Sequence, residues 1–494
     1  MKTLNLRLGI KIHLVFLNFV LLSAFISPGE VLAAKPFLIT CNPGEVKLTD
    51  NYVVTTNTTF CTGTYNYADR EENGVIIVGA DNIVINGNNL VLDGRRKIGY
   101  GIYLNGHKGV TIKNFNIKNY YYAMRAENAD TILIENNNIS GNKATDNTFL
   151  NINVAISSAP GGGILFNQVI NSTVRNNKGN NQDVGINLYY GNGNTITQND
   201  FSSNKAWGVR LHQSTYNIIS DNQVHHVNRC NNSGCDSAGV LLVNASNNNT
   251  VSGNNMTYSG DGFFIGNQYS VPSDNNLIEN NDGSYSPNNA FEATFSQGNV
   301  FRGNIASNSN YGFWLGYSHH SRVENNTIQN NRTDGINIDR GSYMTLSGNT
   351  VTNNGRYGIA LTYQSGTRPE TSHDHTITGN TIYDNALNGI YFQDTTNSIM
   401  QTNKISGNQN GMYFTGNSSG ITVSQNNIVC VSPTSKSCQY NAYNNMSFGY
   451  DVNAENNWWG TSVQSEIDTL IFDYKDNSSK GLIDYDPWLT APAF

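Results

Sequence analysis

The chain has 494 residues, of which 13% are charged, with a net charge of −7, 47 glycines and 27 tyrosines. An acidic balance with no basic run excludes a typical nucleic-acid binder. Apolar residues alternate with polar ones and do not recur at three and four, which excludes both disorder and a helical fold.

Residues 1–34 read as a secretory signal peptide: Lys2, Arg7 and Lys11 precede an apolar run from Leu14 to Ile26, and Val31-Leu-Ala-Ala34 supplies small residues for cleavage. The run is too short and too interrupted for a membrane span, and no later segment is apolar enough. The protein is therefore expected to be secreted, periplasmic or at the cell surface, with no membrane span after cleavage. Six cysteines agree with an oxidising destination. They fall in near pairs, Cys41 with Cys61, Cys230 with Cys235 and Cys430 with Cys438, none with CxxC spacing. Six cysteines allow 15 connectivities, and local disulfides, each clipping one loop, are the simple expectation.

Residues 35–98 form an N-terminal cap with the first strands, Tyr52-Val-Val, Val75-Ile-Ile-Val and Ile83-Val-Ile. From 99 to 455 the chain repeats. Asn304-Ile-Ala, Asn326-Thr-Ile and Asn349-Thr-Val are spaced by 22 and 23 residues, with Tyr311-Gly-Phe-Trp-Leu and Asp334-Gly-Ile-Asn-Ile between them. The same asparagine position recurs at Asn137, Asn177, Asn199, Asn222, Asn254, Asn280, Asn380, Asn403, Asn426 and Asn456. A fixed period of this size marks a repeat architecture. A coil of about 23 residues holds three short strands and three turns, and stacked coils make a parallel β-helix. Identical Asn amides in successive coils can bond one another as a ladder, since each carries a donor and an acceptor. Residues 456–494 read as a C-terminal cap, in which Trp458, Trp459 and Trp488 seal the last coil.

The N-x-I and G-I-x-L alternation, the GVTIKNFNI phrase at Gly109 to Ile117 and the NNWWG…YDPWL ending resemble the pectin-lyase-like right-handed β-helix superfamily, and within it the carbohydrate-binding and sugar-hydrolase (CASH) type. That group includes alginate epimerases, polysaccharide lyases and the periplasmic β-helix protein of nitrous oxide reductase copper-site assembly. The resemblance covers roughly residues 50 to 489 and implies an all-β, right-handed parallel β-helix with caps at both ends. The polygalacturonase series and the alginate-epimerase DPHE motif are absent from the sequence, so no catalytic residue carries over.

Function must then come from the outward face of the G-I-x-L-x strands, whose Ile and Leu point inward. Two patches carry suitable chemistry. The first is Tyr189, Arg210 and His212, with Arg125, Glu127 and Asn187 as binding partners. Arg would neutralise a uronate carboxylate, His would abstract the neighbouring proton and Tyr would supply one, as a lyase or epimerase requires. The Asn steps of 40 and 32 residues, from Asn137 to Asn177 and from Asn222 to Asn254, place long loops near 143–162 and 228–238 that would wall this patch. The second patch is Asp261, Glu292, Trp314, Asp334 and Asp339, paired carboxylates of the glycoside-hydrolase kind. Tyr391 is a further sugar-stacking candidate on the same stripe. His319-His320 and His373-Asp-His375 are weaker metal candidates without an obvious third ligand. No cofactor is assigned; calcium and copper are the ions these side chains would suit. The expectation is a monomeric exported protein that binds and modifies a polysaccharide by lyase or epimerase chemistry. The alternatives are a glycoside hydrolase, a non-catalytic carbohydrate-binding scaffold and a periplasmic copper-handling factor.

Overall fold

The computed structural model describes residues 38–145, 151–230, 235–266, 271–363, 371–429 and 438–494. The signal-peptide reading of residues 1–34 lies outside them. From Ile39 onward the chain is nearly all strand, arranged in coils. One coil holds a six-residue strand, Tyr311–Gly316, and two of three residues, Arg322–Glu324 and Thr327–Gln329. The next coil repeats the plan, and the pairing is parallel and in register: Phe313 opposite Ile336, Val323 opposite Leu346, Ile328 opposite Val351. The strands stack in parallel columns, and the column that holds the long strands forms a seventeen-stranded sheet among the described residues.

The stacking is longer at both ends than the repeat spacing implied. Tyr52–Val54 already pairs with Ile76–Val78, inside the expected cap, and Val452–Asn453 still pairs with Ile483–Asp484. Gln464–Leu470 is the one α-helix among the described residues. It sits between the last stacked strands, where the Tyr485 hydroxyl donates to its Asp468.

Alternation places the third and fifth residues of the long strands, such as Phe313 and Leu315, inside, and these are almost wholly inaccessible along the solenoid. Phe291 stacks on Phe313 at 5.0 Å and Phe392 on Phe414 at 5.0 Å, so like sits on like from coil to coil. Backbones approach closely at the start of each long strand. A Cβ on Gly335 would lie 2.6 Å from the Gly358 carbonyl oxygen, which is why the G of the G-I-x-L phrase recurs.

The asparagine ladder runs from Asn137 through Asn177, Asn199, Asn222, Asn254, Asn281, Asn304, Asn326, Asn349, Asn380, Asn403 and Asn426 to Asn457, each Nδ2 donating to the next Oδ1 at 2.9–3.2 Å. At two places the rung is one residue later than the spacing suggested. Asn280 and Asn456 have φ of 55° and 60° and make the left-handed turn, while Asn281 and Asn457 enter the ladder. A second ladder, Asn331 to Asn354 to Asn385 to Asn408, lines another turn.

Cys41–Cys61 and Cys230–Cys235 are disulfide-bonded, as the short spacings implied. Cys438 is also disulfide-bonded; its expected partner, Cys430, lies outside the described residues.

The buried rungs carry a direct test. Asn304 Oδ1 accepts from the Asn281 backbone N–H at 3.0 Å and its Nδ2 at 3.2 Å, while its own Nδ2 donates to the Ile278 carbonyl at 2.9 Å and to Asn326 Oδ1 at 3.1 Å. Asn304→Ala strands the Asn281 donors in the core and is expected to cost about 2–4 kcal/mol, read as a lower urea midpoint. An unchanged midpoint would remove the ladder from the list of stabilising interactions.

Candidate functional site

The strand register assembles the first patch. Asn187 lies opposite Arg210, and Tyr189 opposite His212, on adjacent coils. Arg210 Nη1 donates to Asn187 Oδ1 at 2.9 Å, and its Nη2 lies 3.0 Å from His212 Nδ1. The guanidinium sits between two rings, 4.9 Å from the Tyr189 centroid and 5.1 Å from that of Trp207.

The patch is not the open groove that alternation suggested. Arg210 and Tyr189 have no exposed surface and His212 is buried. The long insertion comes down over the sheet rather than walling it. Arg210 donates to the carbonyls of Ile152 (Nε 3.2 Å, Nη2 2.7 Å) and Val154 (Nη2 3.3 Å), and the Tyr189 hydroxyl donates to Val154 O at 3.0 Å. The Ile152 side chain packs among Val184, Trp207, Leu241, Val243 and Phe264, all outward on the sheet. Outward apolar residues here mark a covered surface. The second insertion packs on the same ring: Trp207 Nε1 donates to the Asp236 carbonyl at 2.9 Å, next to the Cys230–Cys235 bridge.

These contacts revise the expected chemistry. The Arg210 fork is spent on loop carbonyls, Asn187 and His212 instead of facing a carboxylate. An arginine only donates, so His212 Nδ1 is the acceptor in this contact. Burial, with Arg210 beside it, pushes the His212 pKa down to about 4. Tyr189 is raised, first by burial.

Arg125 and Glu127 lie three coil steps from Arg210 and form their own group. Arg125 Nη2 donates to Glu127 Oε1 at 2.8 Å, the Tyr103 hydroxyl donates to Oε2 at 2.9 Å, and Asn167 donates to Oε1 at 3.0 Å. Burial works to raise the Glu127 pKa, but the bonds from Arg125, Asn167 and Tyr103 outweigh it and hold it low. Burial and then Glu127 push Tyr103 up to about 12. The aromatic neighbours Tyr100, Tyr121 and Tyr122 were not singled out from the sequence, although the run Tyr120-Tyr-Tyr122 ahead of a repeat strand was a visible signal.

The second patch divides. Asp334 is fully buried and locked, accepting from Arg356 Nε at 2.7 Å and Nη2 at 2.6 Å and from Asn337 Nδ2 at 2.7 Å. Asp261 and Glu292 instead meet across one residue. Asp261 Oδ1 accepts from the Asn289 backbone N–H at 2.9 Å and from Asn288 Nδ2 at 2.9 Å, while Asn289 Nδ2 donates to Glu292 Oε2 at 2.5 Å. Burial raises both carboxyls above the ordinary range, and the Asp261 charge raises Glu292 further. Asp261 is 1% exposed, whereas Glu292 is half-buried on the outward face. Trp314 lies opposite Glu292 on the next coil, half-exposed, with Tyr311 edge-on at 5.1 Å. Asp339, half-buried, is on the coil after that.

Other candidates do not converge. Tyr391 has Tyr357 stacked on one side at 4.4 Å and Tyr413 on the other at 5.7 Å, so neither ring face is free for a sugar. His373 Nδ1 pairs with Asp374 at 2.5 Å, whereas His375 is buried with Nε2 on Ser372 Oγ at 3.0 Å; the two do not share a site. His319 bonds Ser342 at 2.6 Å and His320 stacks on Tyr343 at 4.6 Å. Among the described residues no group of three or more His, Cys, Asp or Glu is placed to hold a metal ion, and no helix is long and apolar enough to cross a membrane.

Two family models match the chain. A right-handed β-helix region matches residues 100–270, and a periplasmic copper-binding protein (NosD) model matches residues 269–468. Together the two matches run along most of the solenoid, and both agree with its right-handed parallel β-helix fold. Similar solved structures include the mannuronan C-5 epimerase AlgE6 A-module of Azotobacter vinelandii, at 14% identity over 74% of this chain and 90% of that one, TM-score 0.39. The Agl-KA catalytic domain is similar at 16% identity over 69% and 67%, TM-score 0.43. The tailspike of E. coli bacteriophage HK620 is similar at 11% over 78% and 70%, TM-score 0.39. No curated protein matches the chain. These likenesses concern the β-helix itself.

The buried histidine makes a pH prediction. His212 has an ordinary pKa of 6.5 and a folded one of about 4, so the unfolded chain binds more protons between these values. Stability from this group is complete above pH 6.5 and is lost as pH falls towards 4, by roughly 3 kcal/mol at most. His212→Asn should flatten stability against pH across that window relative to the parent chain. Parallel curves would mean that His212 titrates normally and that the loop does not cover it.

Proposed function

We propose that this β-helix is an exported glycoside hydrolase acting on a polysaccharide laid along the sheet of long strands, with Glu292 as its general acid. The observation that carries the reading is the Asp261–Asn289–Glu292 arrangement: two carboxyls on adjacent coils, bonded through one asparagine, both raised by burial, and Glu292 raised further by the Asp261 charge. A carboxylic acid that keeps its proton near neutral pH is what protonation of a glycosidic oxygen needs. Asp261, behind it and buried, holds the Glu292 proton and does not touch the sugar. Asp339, two coils on, is the second carboxylate and activates water. Half-exposed Trp314 between them offers a ring for the sugar to stack on. The disulfides support a destination outside the reducing cytoplasm.

Lyase or epimerase chemistry at Tyr189, Arg210 and His212 is the less favoured reading, because those groups are buried against main-chain carbonyls. Copper handling is suggested by the description of the matching NosD model. Its segment contains His319, His320, His373 and His375, but their ring nitrogens are bonded or stacked apart from one another.

The test is release of reducing ends from a panel of neutral and acidic glycans. Glu292→Gln and Asp339→Asn should each lower turnover roughly a hundredfold or more. Asp261→Asn should leave more activity and move the alkaline limb of the pH profile down, since removing the Asp261 charge lowers the Glu292 pKa. Unsaturated products abolished by His212→Ala but not by Glu292→Gln would replace hydrolysis with the lyase reading.

A further inference from the structure

A pocket of about 470 Å³ opens on the same outward face, towards the N-terminal coils, lined among others by Tyr100, Tyr121, Tyr122, Arg125, Ile156 and Leu165. Its volume falls within the range of small-molecule sites. Arg125 and Glu292 occupy the same column of the sheet six coil steps apart, roughly 29 Å at about 4.8 Å per coil. The stretch between them is the one covered by the insertion. The pocket is therefore separate from the proposed catalytic carboxylates.

Its polar floor is Arg125, which is paired with Glu127 behind it. Arg125 is 26% exposed at its side chain and donates to Glu127 and to the Tyr100 hydroxyl, which uses two of its five N–H groups. Its charge is matched by Glu127, and Glu72 lies on the rim. An anionic ligand would meet the Glu72 carboxylate and a guanidinium already paired with Glu127. A neutral sugar suits the pocket better, because each hydroxyl both donates and accepts and the C–H face of the ring packs on Tyr121 and Ile156.

The wall opposite the sheet is the insertion itself. It is pinned by the Tyr121 hydroxyl on Ala159 O at 2.7 Å, the Tyr122 hydroxyl on Pro160 O, Tyr189 on Val154 O and Arg210 on Ile152 O. This gives the covered patch a purpose: Arg210 and Tyr189 are positioning residues that hold the 151–160 segment where it completes the cavity.

We infer that this pocket is a second carbohydrate site, binding a neutral pyranose ring of a polysaccharide apart from the reacting carboxylates. The experiment uses the full secreted chain carrying Glu292→Gln, so that no glycan is cut, on an array of neutral and acidic oligosaccharides, with affinities of the hits by calorimetry. Binding to neutral oligosaccharides is expected, weakened at least about tenfold by Arg125→Ala and by Ile156→Trp, which fills the cavity from the part-buried 3-10 turn Ile156–Ser158 and lies outside the main core of the solenoid. Thermal unfolding of each variant is measured alongside, and Ile156→Trp carries the test if Arg125→Ala melts early. Binding to acidic glycans alone, binding to none, or binding unchanged by Ile156→Trp overturns the inference. Neutral-glycan binding lost with Trp314→Ala and kept in both pocket variants overturns it too, by placing the site at the carboxylates. Because binding is read without turnover, the pocket can stand even if the hydrolytic reading falls.

Discussion

Everything in this molecule depends on one coil handing its hydrogen bonds to the next. A strand in a solenoid has no partner within its own coil, so its N–H and C=O groups are met only if the neighbour sits in register. At the turns, where sheet pairing lapses, the asparagine ladder takes over. Each buried Oδ1 accepts from both the backbone and the side chain of the coil before it. The buried turn can therefore exist only as a stack of like residues, which is why one amino acid recurs over three hundred positions of otherwise divergent sequence.

A strict register also turns the outward face into a ruler, and the fold uses its marks in different ways. Towards the C-terminus the column becomes a stack of rings, Tyr391, Tyr413, Tyr443 and Phe472, whose faces are satisfied by one another. In the middle it is apolar and roofed by the insertion. Around Arg125, and again around Glu292 and Trp314, neither solution applies, and polar and aromatic groups are left to face a ligand. The same geometry thus yields a glue, a covered seam and two candidate contact regions.

The coil plan was legible in the sequence because it is periodic. Strand alternation, the inward Ile and Leu columns, the Asn rungs and the local cysteine pairs at 41–61 and 230–235 all follow from spacing. Where two asparagines are adjacent, as at Asn280-Asn281 and Asn456-Asn457, the pattern does not say which is the rung and which takes the positive φ. The burial of Arg210 was hidden for a stronger reason. It is decided by where a non-repeating 40-residue step sets down its main chain, and carbonyls of any sequence can receive a guanidinium. The outward Leu241, Val243 and Phe264 were the available hint, since a free polar groove would not be lined with them. The coupling of Asp261 to Glu292 likewise depends on Asn289, an unremarkable residue that happens to reach both.

Two buried charge problems on one face are resolved in opposite ways, and the difference bears on function. Arg210 has no exposed surface, and the groups it bonds are carbonyls, an amide and an imidazole. Dipoles aimed at a fixed cation stabilise it without neutralising it, so the arrangement is rigid and suits holding a loop in place. Asp261 and Glu292 are two acids in a desolvated corner, and Asn288 and Asn289 cannot stabilise two negative charges there. The cheaper state keeps a proton on the pair. A guanidinium does not give up its proton at any pH the fold survives, whereas a crowded carboxyl exchanges its own readily near neutrality. Structure-holding chemistry therefore belongs to the first patch and proton-transferring chemistry to the second, whichever sugar lies across them.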